Sequence, residues 1–173
     1  MNVFLIGYRG SGKTTVAAAL AARLGWLWID ADVELERRAG RTIKQLFAEQ
    51  GEGAFRDLES EIIAELAGGE RQIIACGGGV VLREQNRAVL RRGGRCVWLR
   101  VSPEALLLRI EGDATTAARR PNLTGHGGLA EIQTLLAERT PLYEACADLR
   151  FDAQRHSPTQ LADQIIAELK LQE

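Results

Sequence analysis

The chain has 173 residues, of which 22 are basic and 23 acidic, and its net charge is −1 with a sequence pI near 6.2. This balance excludes a global field that would draw the protein to nucleic acid or to an acidic membrane, so we predict neither partner. The length predicts one domain over residues 1–173, large enough to fold without disulfides or a structural metal.

Cysteine and histidine usage narrows the possible chemistry. Cys76, Cys96 and Cys146 lack C-x-x-C spacing, which favours buried, reduced thiols over disulfides or zinc ligands. The two histidines, His126 and His156, have no paired metal-ligand spacing, which argues against histidine-based hydrolysis. Neither a secretory leader nor an apolar run of about 18 residues occurs, so we expect a cytoplasmic protein.

The first predicted elements are an apolar strand, Val3 to Ile6, and a helix, Thr15 to Leu24, joined by a glycine-rich turn. The turn fits the pattern G-x-x-x-x-G-K-[ST] and reads Gly7-Tyr8-Arg9-Gly10-Ser11-Gly12-Lys13-Thr14. Its backbone N–H groups and the helix N-terminus can cradle phosphates, Lys13 adds a point charge, and the Thr14 hydroxyl can ligate Mg²⁺. The sequence therefore predicts a nucleoside triphosphate site.

A dinucleotide-binding turn is the main alternative, because Asp30 and Asp32 lie about twenty residues downstream, where a ribose-binding acid is expected. The glycine spacing argues against it. Starting at Gly10, the G-x-G-x-x-G template requires glycine where the chain has Thr15, and it gives no reason for Lys13.

Further strands alternate with helical patterns, which predicts a parallel α/β sheet. These strands are Leu27 to Asp30, Gln72 to Cys76, Cys96 to Val101 and Leu149 to Phe151. Helix starts are predicted by a capping box at Thr42 and Gln45 and by a hydroxyl cap before proline at Ser102-Pro103 and Ser157-Pro158.

Two aspartates follow the second strand. Asp30 ends that strand at the edge where parallel sheets bind ligands, so it is the best candidate for a water-mediated acidic partner of Mg²⁺. Asp32 can face the group that accepts the phosphoryl, or it can cap a helix that begins at Val33.

The segment from Glu111 to Gly128 lacks periodicity, is rich in glycine and exceeds the usual length of a structureless loop. We interpret it as a mobile lid that carries Arg119 and Arg120. An unstructured surface loop is the alternative.

Two arginines and a glycine triplet complete the candidate site. Arg56 and Arg139 can bind an anion, or each can pair with neighbouring carboxylates on a solvated helix face. The triplet at 77–79 ends a core strand, where it permits close approach of a ligand or forms only a tight turn.

The guanine-reading pattern N-K-x-D and the switch D-x-x-G are absent, which argues against a Ras-type GTPase. The ordered motifs G-x-x-G-x-G-K-T, D-A-D, F-R-x-x-E, G-G-G, R-P and R-x-P-L-Y instead resemble shikimate kinase over essentially the whole chain. The resemblance implies a three-layer phosphate-loop kinase fold with a five-stranded parallel sheet of order 2-3-1-4-5. It implies transfer of the ATP γ-phosphoryl group to the 3-hydroxyl of shikimate, a step of aromatic amino-acid biosynthesis.

The resemblance also assigns roles to residues. ATP would be bound by Gly10, Ser11, Gly12, Lys13, Thr14 and Thr15, and one Mg²⁺ by Thr14 and, through water, by Asp30. Asp32 would bind the ring hydroxyls and orient or deprotonate the attacking one, within an acceptor region of approximately 31–62. Arg56 and Arg139 would bind the shikimate carboxylate, Gly78 would contact the substrate, and Arg120 would close over the phosphates as a catalytic residue beside Lys13 and Asp32.

Two positions depart from the family pattern. Cys76 stands where relatives usually have a small hydroxyl residue or glycine, and His156, next to Arg155, aligns with an arginine that contacts adenine. The competing functions are a gluconate or nucleoside monophosphate kinase and a non-catalytic nucleotide-binding module. The partners we expect are ATP and shikimate alone, bound by a monomer.

Overall fold

Five parallel strands form a single sheet in the computed structural model, which describes residues 1–113 and 128–172. The strand order is β2-β3-β1-β4-β5, as the resemblance implied. The bounds are β1 Asn2–Ile6, β2 Leu27–Asp30, β3 Gln72–Ala75, β4 Gly94–Arg100 and β5 Leu149–Asp152. The predicted strands are confirmed to within two residues at each end.

Helices connect the strands. Their bounds are α1 Lys13–Leu24, α2 Ala31–Ala39, α3 Ile43–Ala67, α4 Glu84–Gly93, α5 Pro103–Gly112, α6 Gly128–Cys146 and α7 Pro158–Leu169, with a short 3₁₀ turn at Val80–Leu82. The predicted caps are confirmed at Thr42, Ser102 and Ser157, where each hydroxyl accepts a backbone N–H of the first turn. Helix α1 begins at Lys13, two residues before the predicted start, because Gly12 acts as its N-cap.

The two faces of the sheet carry separate apolar clusters. Val3 and Leu5 of β1 pack with α1 and α7, whereas Phe4 and Ile6 pack with α3 and α4. All four side chains have no exposed surface. This alternation along a central strand produces the helix–sheet–helix layers.

Parallel pairing brings the carboxyl ends of the strands to one edge of the sheet. The phosphate loop follows β1, Asp32 follows β2 and the glycine triplet follows β3, so segments distant in sequence meet at this edge.

Both ends of the segment proposed as a lid, 111–128, lie in helices. Glu111 and Gly112 belong to α5, and Gly128 begins α6. The helices extend beyond the residues whose apolar periodicity predicts a helix. Arg119 and Arg120 lie outside the described residues.

Cys76, Cys96 and Cys146 are all buried free thiols, as predicted. The Cys96 and Cys146 sulfur atoms lie 3.8 Å apart in the core. No helix in the described part of the chain is long and apolar enough to cross a membrane.

Candidate active site

The phosphate loop forms a tight turn between β1 and α1. Gly7, Gly10 and Gly12 have φ values of 140°, 81° and 94°, a region that side chains with a Cβ rarely adopt. The Lys13 ammonium is buried and donates to the carbonyls of Gly7 and Tyr8, each at 2.8 Å. The loop therefore surrounds the Lys13 side chain, and α1 begins at the end of the loop.

A cavity of about 590 Å³ opens at this turn, within the size range of nucleotide and cofactor sites. The residues 9–16 line it, together with Asp30, Arg109 and His156. All six predicted ATP-binding positions from Gly10 to Thr15 are among the lining residues. Arg155 instead pairs with Asp152 on the surface, so only His156 of that pair faces the cavity.

Thr14 and Asp30 meet at the floor of this cavity. The Thr14 hydroxyl donates to Asp30 Oδ2 at 2.8 Å, while Asp30 Oδ1 accepts the backbone N–H groups of Asp32 and Val33. Mg²⁺ prefers hard oxygen ligands and commonly takes one or two from protein, with water and substrate phosphates completing its shell. The paired hydroxyl and carboxylate fit that requirement.

The alternative role for Asp32 as a helix cap is wrong. Helix α2 begins at Ala31 and its cap is Asp30, which places Asp32 inside the first turn. Asp32 lines the cavity at the phosphate loop and also a smaller neighbouring cavity. Its carboxylate therefore stands where the two cavities meet.

The smaller cavity is enclosed by basic, acidic and aromatic side chains. Its lining residues are Tyr8, Arg9, Asp32, Ile43, Phe47, Phe55, Arg56, Glu59, Gly77, Gly78, Gly79 and Arg139. The structure thus brings Asp32, Arg56, Gly78 and Arg139, all predicted to bind the acceptor, to one cavity. Their separation in sequence exceeds 100 residues, so the fold and not local spacing assembles the group.

Arg56 makes the ion pairs that the sequence offered as the alternative to anion binding, but in a buried position. It does pair with neighbouring carboxylates, since its Nη1 donates to Glu59 at 2.8 Å and its Nη2 to Glu52 at 3.3 Å. It is nevertheless only 7% exposed, so it does not lie on a solvated face. Burial raises the pKa of the Glu59 carboxyl, and the Arg56 guanidinium opposes that rise.

Arg139 reaches the same cavity from α6. It is buried, and its Nε has no hydrogen-bond partner among the described residues. Its guanidinium carbon lies 5.7 Å from the centre of the Tyr8 ring. An uncompensated buried donor costs free energy unless a ligand satisfies it, which makes Arg139 suited to an anionic ligand.

Each glycine of the triplet contacts a different part of the site. A methyl group at Gly77 would lie 2.8 Å from Glu59 Oε1 and 2.9 Å from Asp32 Oδ1, and one at Gly79 would overlap the Arg56 guanidinium. At Gly78 it would lie 3.2 Å from the Arg9 backbone nitrogen. The triplet is therefore more than a tight turn, because side chains there would displace the charged groups.

The sequence analysis assigned no individual role to three contributors. Glu59 lies three residues after Arg56 on one helix, a spacing that predicts an ion pair. Tyr143 donates its hydroxyl proton to the Gly78 carbonyl and fixes the triplet, but nothing in the sequence indicated that contact. Arg109 donates to the carbonyls of Gly10 and Ala153, bracing the phosphate loop, and it too carried no local signal.

Comparison with known proteins identifies the family. The shikimate kinase family model matches residues 9–170. A shikimate kinase of Rhodopirellula baltica is 41% identical over 165 residues, covering 95% of this chain and 88% of the relative. That of Symbiobacterium thermophilum is 42% identical over 170 residues, covering 98% and 97%.

Solved structures also indicate similarity to shikimate kinase. Shikimate kinase from Acinetobacter baumannii in complex with shikimate has a TM-score of 0.91 at 32% identity, covering 98% of this chain and 92% of that one. A gluconokinase from Sinorhizobium meliloti has a TM-score of 0.63 at 20% identity, which indicates a shared fold alone. The match over nearly the whole length, in sequence and in structure, means that the chain belongs to the shikimate kinase family.

Proposed function

We propose that the protein transfers the γ-phosphoryl group of ATP to the 3-hydroxyl of shikimate, giving shikimate 3-phosphate and ADP. The observation that carries this proposal is the pair of adjoining cavities, one built on the phosphate loop and one lined by guanidinium groups, with Asp32 at their junction. A small hydroxylated carboxylic acid matches the second cavity, because its carboxylate can bind arginine and its hydroxyls can donate to Asp32.

The nucleotide is held by the residues 10–15. Their backbone N–H groups and the start of α1 bind the phosphates, and Lys13 supplies a positive charge once it exchanges its carbonyl partners for phosphate oxygens. Thr14 and, through water, Asp30 would hold one Mg²⁺, which neutralises charge on the phosphate oxygens when bound.

The acceptor is positioned by Asp32, Arg56, Gly78 and Arg139. In the proposed reaction the bond between the γ-phosphorus and the bridging oxygen breaks and its electron pair stays with ADP. A new bond forms from the acceptor oxygen to phosphorus, and Asp32 receives the hydroxyl proton. Catalysis here depends mainly on alignment and on charge neutralisation, since phosphoryl transfer needs little covalent help.

We further propose that Arg120 closes over the phosphates with the segment around it, and that this closure keeps water from the γ-phosphate. The enzyme is expected to act as a cytoplasmic monomer. These parts of the proposal rest on the family resemblance.

An acceptor screen tests the proposal. ADP release would be measured with ATP, Mg²⁺ and, in turn, shikimate, quinate, gluconate and nucleoside monophosphates. We expect rapid turnover with shikimate alone and slow ATP hydrolysis without an acceptor. Preferential phosphorylation of gluconate or of a nucleotide would contradict the proposal, and ATP binding without turnover of any acceptor would indicate a non-catalytic module.

A further inference from the structure

Arg9, the third residue of the phosphate loop, lies at the boundary between the two cavities. Within residues 1–113 and 128–172, three side-chain positions line both cavities, namely Arg9, Asp32 and Ile43. Ile43 is apolar. One anion and one cation therefore face the place where a phosphoryl group would pass from nucleotide to acceptor.

The Arg9 guanidinium lies beside the Tyr8 hydroxyl, a neutral neighbour, at this boundary. Its Nε is fully buried, and among the described residues that atom has no hydrogen-bond partner. Arg56, by contrast, is paired with Glu59 and Glu52. Burial raises the pKa of the Tyr8 phenol, and the charges of Arg9 and Arg139 oppose that rise, as expected for guanidinium groups beside its hydroxyl.

The position of each cation indicates which anion it serves. Lys13 lines only the nucleotide cavity, and Arg56 and Arg139 line only the acceptor cavity. A carboxylate bound by the latter two would remain in the acceptor cavity throughout the reaction. The group that occupies both cavities in succession is the phosphoryl group, and Arg9 faces both.

We propose that Arg9 is a further catalytic residue, whose guanidinium donates hydrogen bonds to the oxygens of the phosphoryl group during its transfer. This inference rests on the function proposed above. Arg9 exchanges no proton in the step: the oxygen–phosphorus bonds break and form as described, and the guanidinium neutralises charge on the transferring oxygens. A planar fork matches two of those oxygens better than a single ammonium does.

The test compares Arg9→Met, which keeps the side-chain length without the charge, with Arg9→Lys, which keeps the charge without the fork. Wild-type turnover of shikimate is established first, so that failure of the proposed function appears in the unmodified enzyme. We expect Arg9→Met to lower kcat by about 10³-fold or more, with KM for shikimate and Kd for ATP within about threefold. Arg9→Lys should recover part of the loss.

Arg109→Met serves as the matched control. Arg109 lines the nucleotide cavity but not the acceptor cavity, so its replacement is expected to act on KM for ATP. Thermal unfolding of each variant reports whether the fold is intact. If Arg9→Met does not fold, Arg9→Lys carries the test by itself, with an expected loss in kcat of about tenfold.

Two results would overturn the proposal. One is a folded Arg9→Met, or in its place a folded Arg9→Lys, with kcat within about threefold of wild type. The other is an effect confined to KM for shikimate, which would assign Arg9 to the acceptor carboxylate instead. A loss confined to kcat would not follow from a merely structural role, because misfolding of the loop would weaken ATP binding as well.

Discussion

Asp32 faces both cavities from the first turn of α2, and in the proposed function its carboxylate acts on the acceptor hydroxyl and not on the nucleotide. We predict that Asp32→Asn lowers kcat by about 10²- to 10⁴-fold, the usual contribution of a positioned acid or base. The Kd for ATP should be unchanged. Steady-state kinetics with shikimate and calorimetric titration with ATP measure the two quantities.

The control for this substitution is Asp163→Asn, which makes the same chemical change in an exposed ion pair with Arg23. It should leave kcat and Kd within experimental error, because exposed pairs contribute little. Normal turnover in Asp32→Asn would remove this residue from the mechanism, and a parallel loss of ATP affinity would show that it serves the nucleotide instead.

Gly77 lies between the carboxylates of Glu59 and Asp32. A methyl group added at this glycine would lie 2.8 Å from an oxygen of Glu59 and 2.9 Å from an oxygen of Asp32. Gly77→Ala is therefore expected to displace both groups, lowering the free energy of unfolding by about 1–3 kcal/mol and raising KM for shikimate. Urea unfolding and acceptor titration test these effects. A variant with wild-type stability and KM would mean that the carboxylates move apart at no cost.

At the scale of elements, helix α3 shapes the acceptor cavity because it is broken at Gly51, whose φ and ψ are 82° and 175°. The break separates the wall formed by Ile43 and Phe47 from the segment that carries Arg56 and Glu59. In an uninterrupted helix the wall and the charged segment would share one helix axis. The break at Gly51 therefore sets the orientation of one relative to the other.

Two glycines of α3 form a matched pair. Gly51→Ala should cost about 1–3 kcal/mol in the free energy of unfolding, since its backbone conformation is nearly exclusive to glycine, and should raise KM for shikimate but not for ATP. Gly53→Ala, in helical backbone with no atom within 4 Å of the added methyl, should stabilise by about 0.5–1 kcal/mol. Equal effects at both positions in denaturant unfolding would refute the role given to the break.

At the scale of the whole molecule, two apolar layers enclose the sheet and hold all three thiols in the core. Burial also raises the pKa of the Cys76 thiol. Its reactivity is therefore low, because the thiolate is the reactive form. We predict that a thiol-specific chromogenic reagent reacts slowly with the folded protein and labels three thiols per chain in denaturant. Prompt labelling of one thiol without denaturant would show that part of the core opens locally.

Local signals in the sequence predicted the strands, the helix caps and the phosphate loop. The capping boxes and the glycine-rich turn involve residues within a few positions of one another, so their physics is contained in a short segment. The same holds for Asp30 at the end of β2. The burial of Arg56 was not predictable in this way, because its neighbours in sequence are those of an ordinary solvated helix and its cover comes from the glycine triplet and α6.

By itself, the sequence determined that the chain binds a nucleoside triphosphate and, through its ordered motifs, which family it resembles. Only the tertiary structure decided that Arg9 faces both cavities, that Glu59 and Asp32 approach the same glycine, and that Tyr143 fixes the triplet. The physical reason is that parallel strands bring their carboxyl ends to one edge, so contacts there join residues as far apart along the chain as Tyr8 and Arg139. No local pattern encodes such pairings.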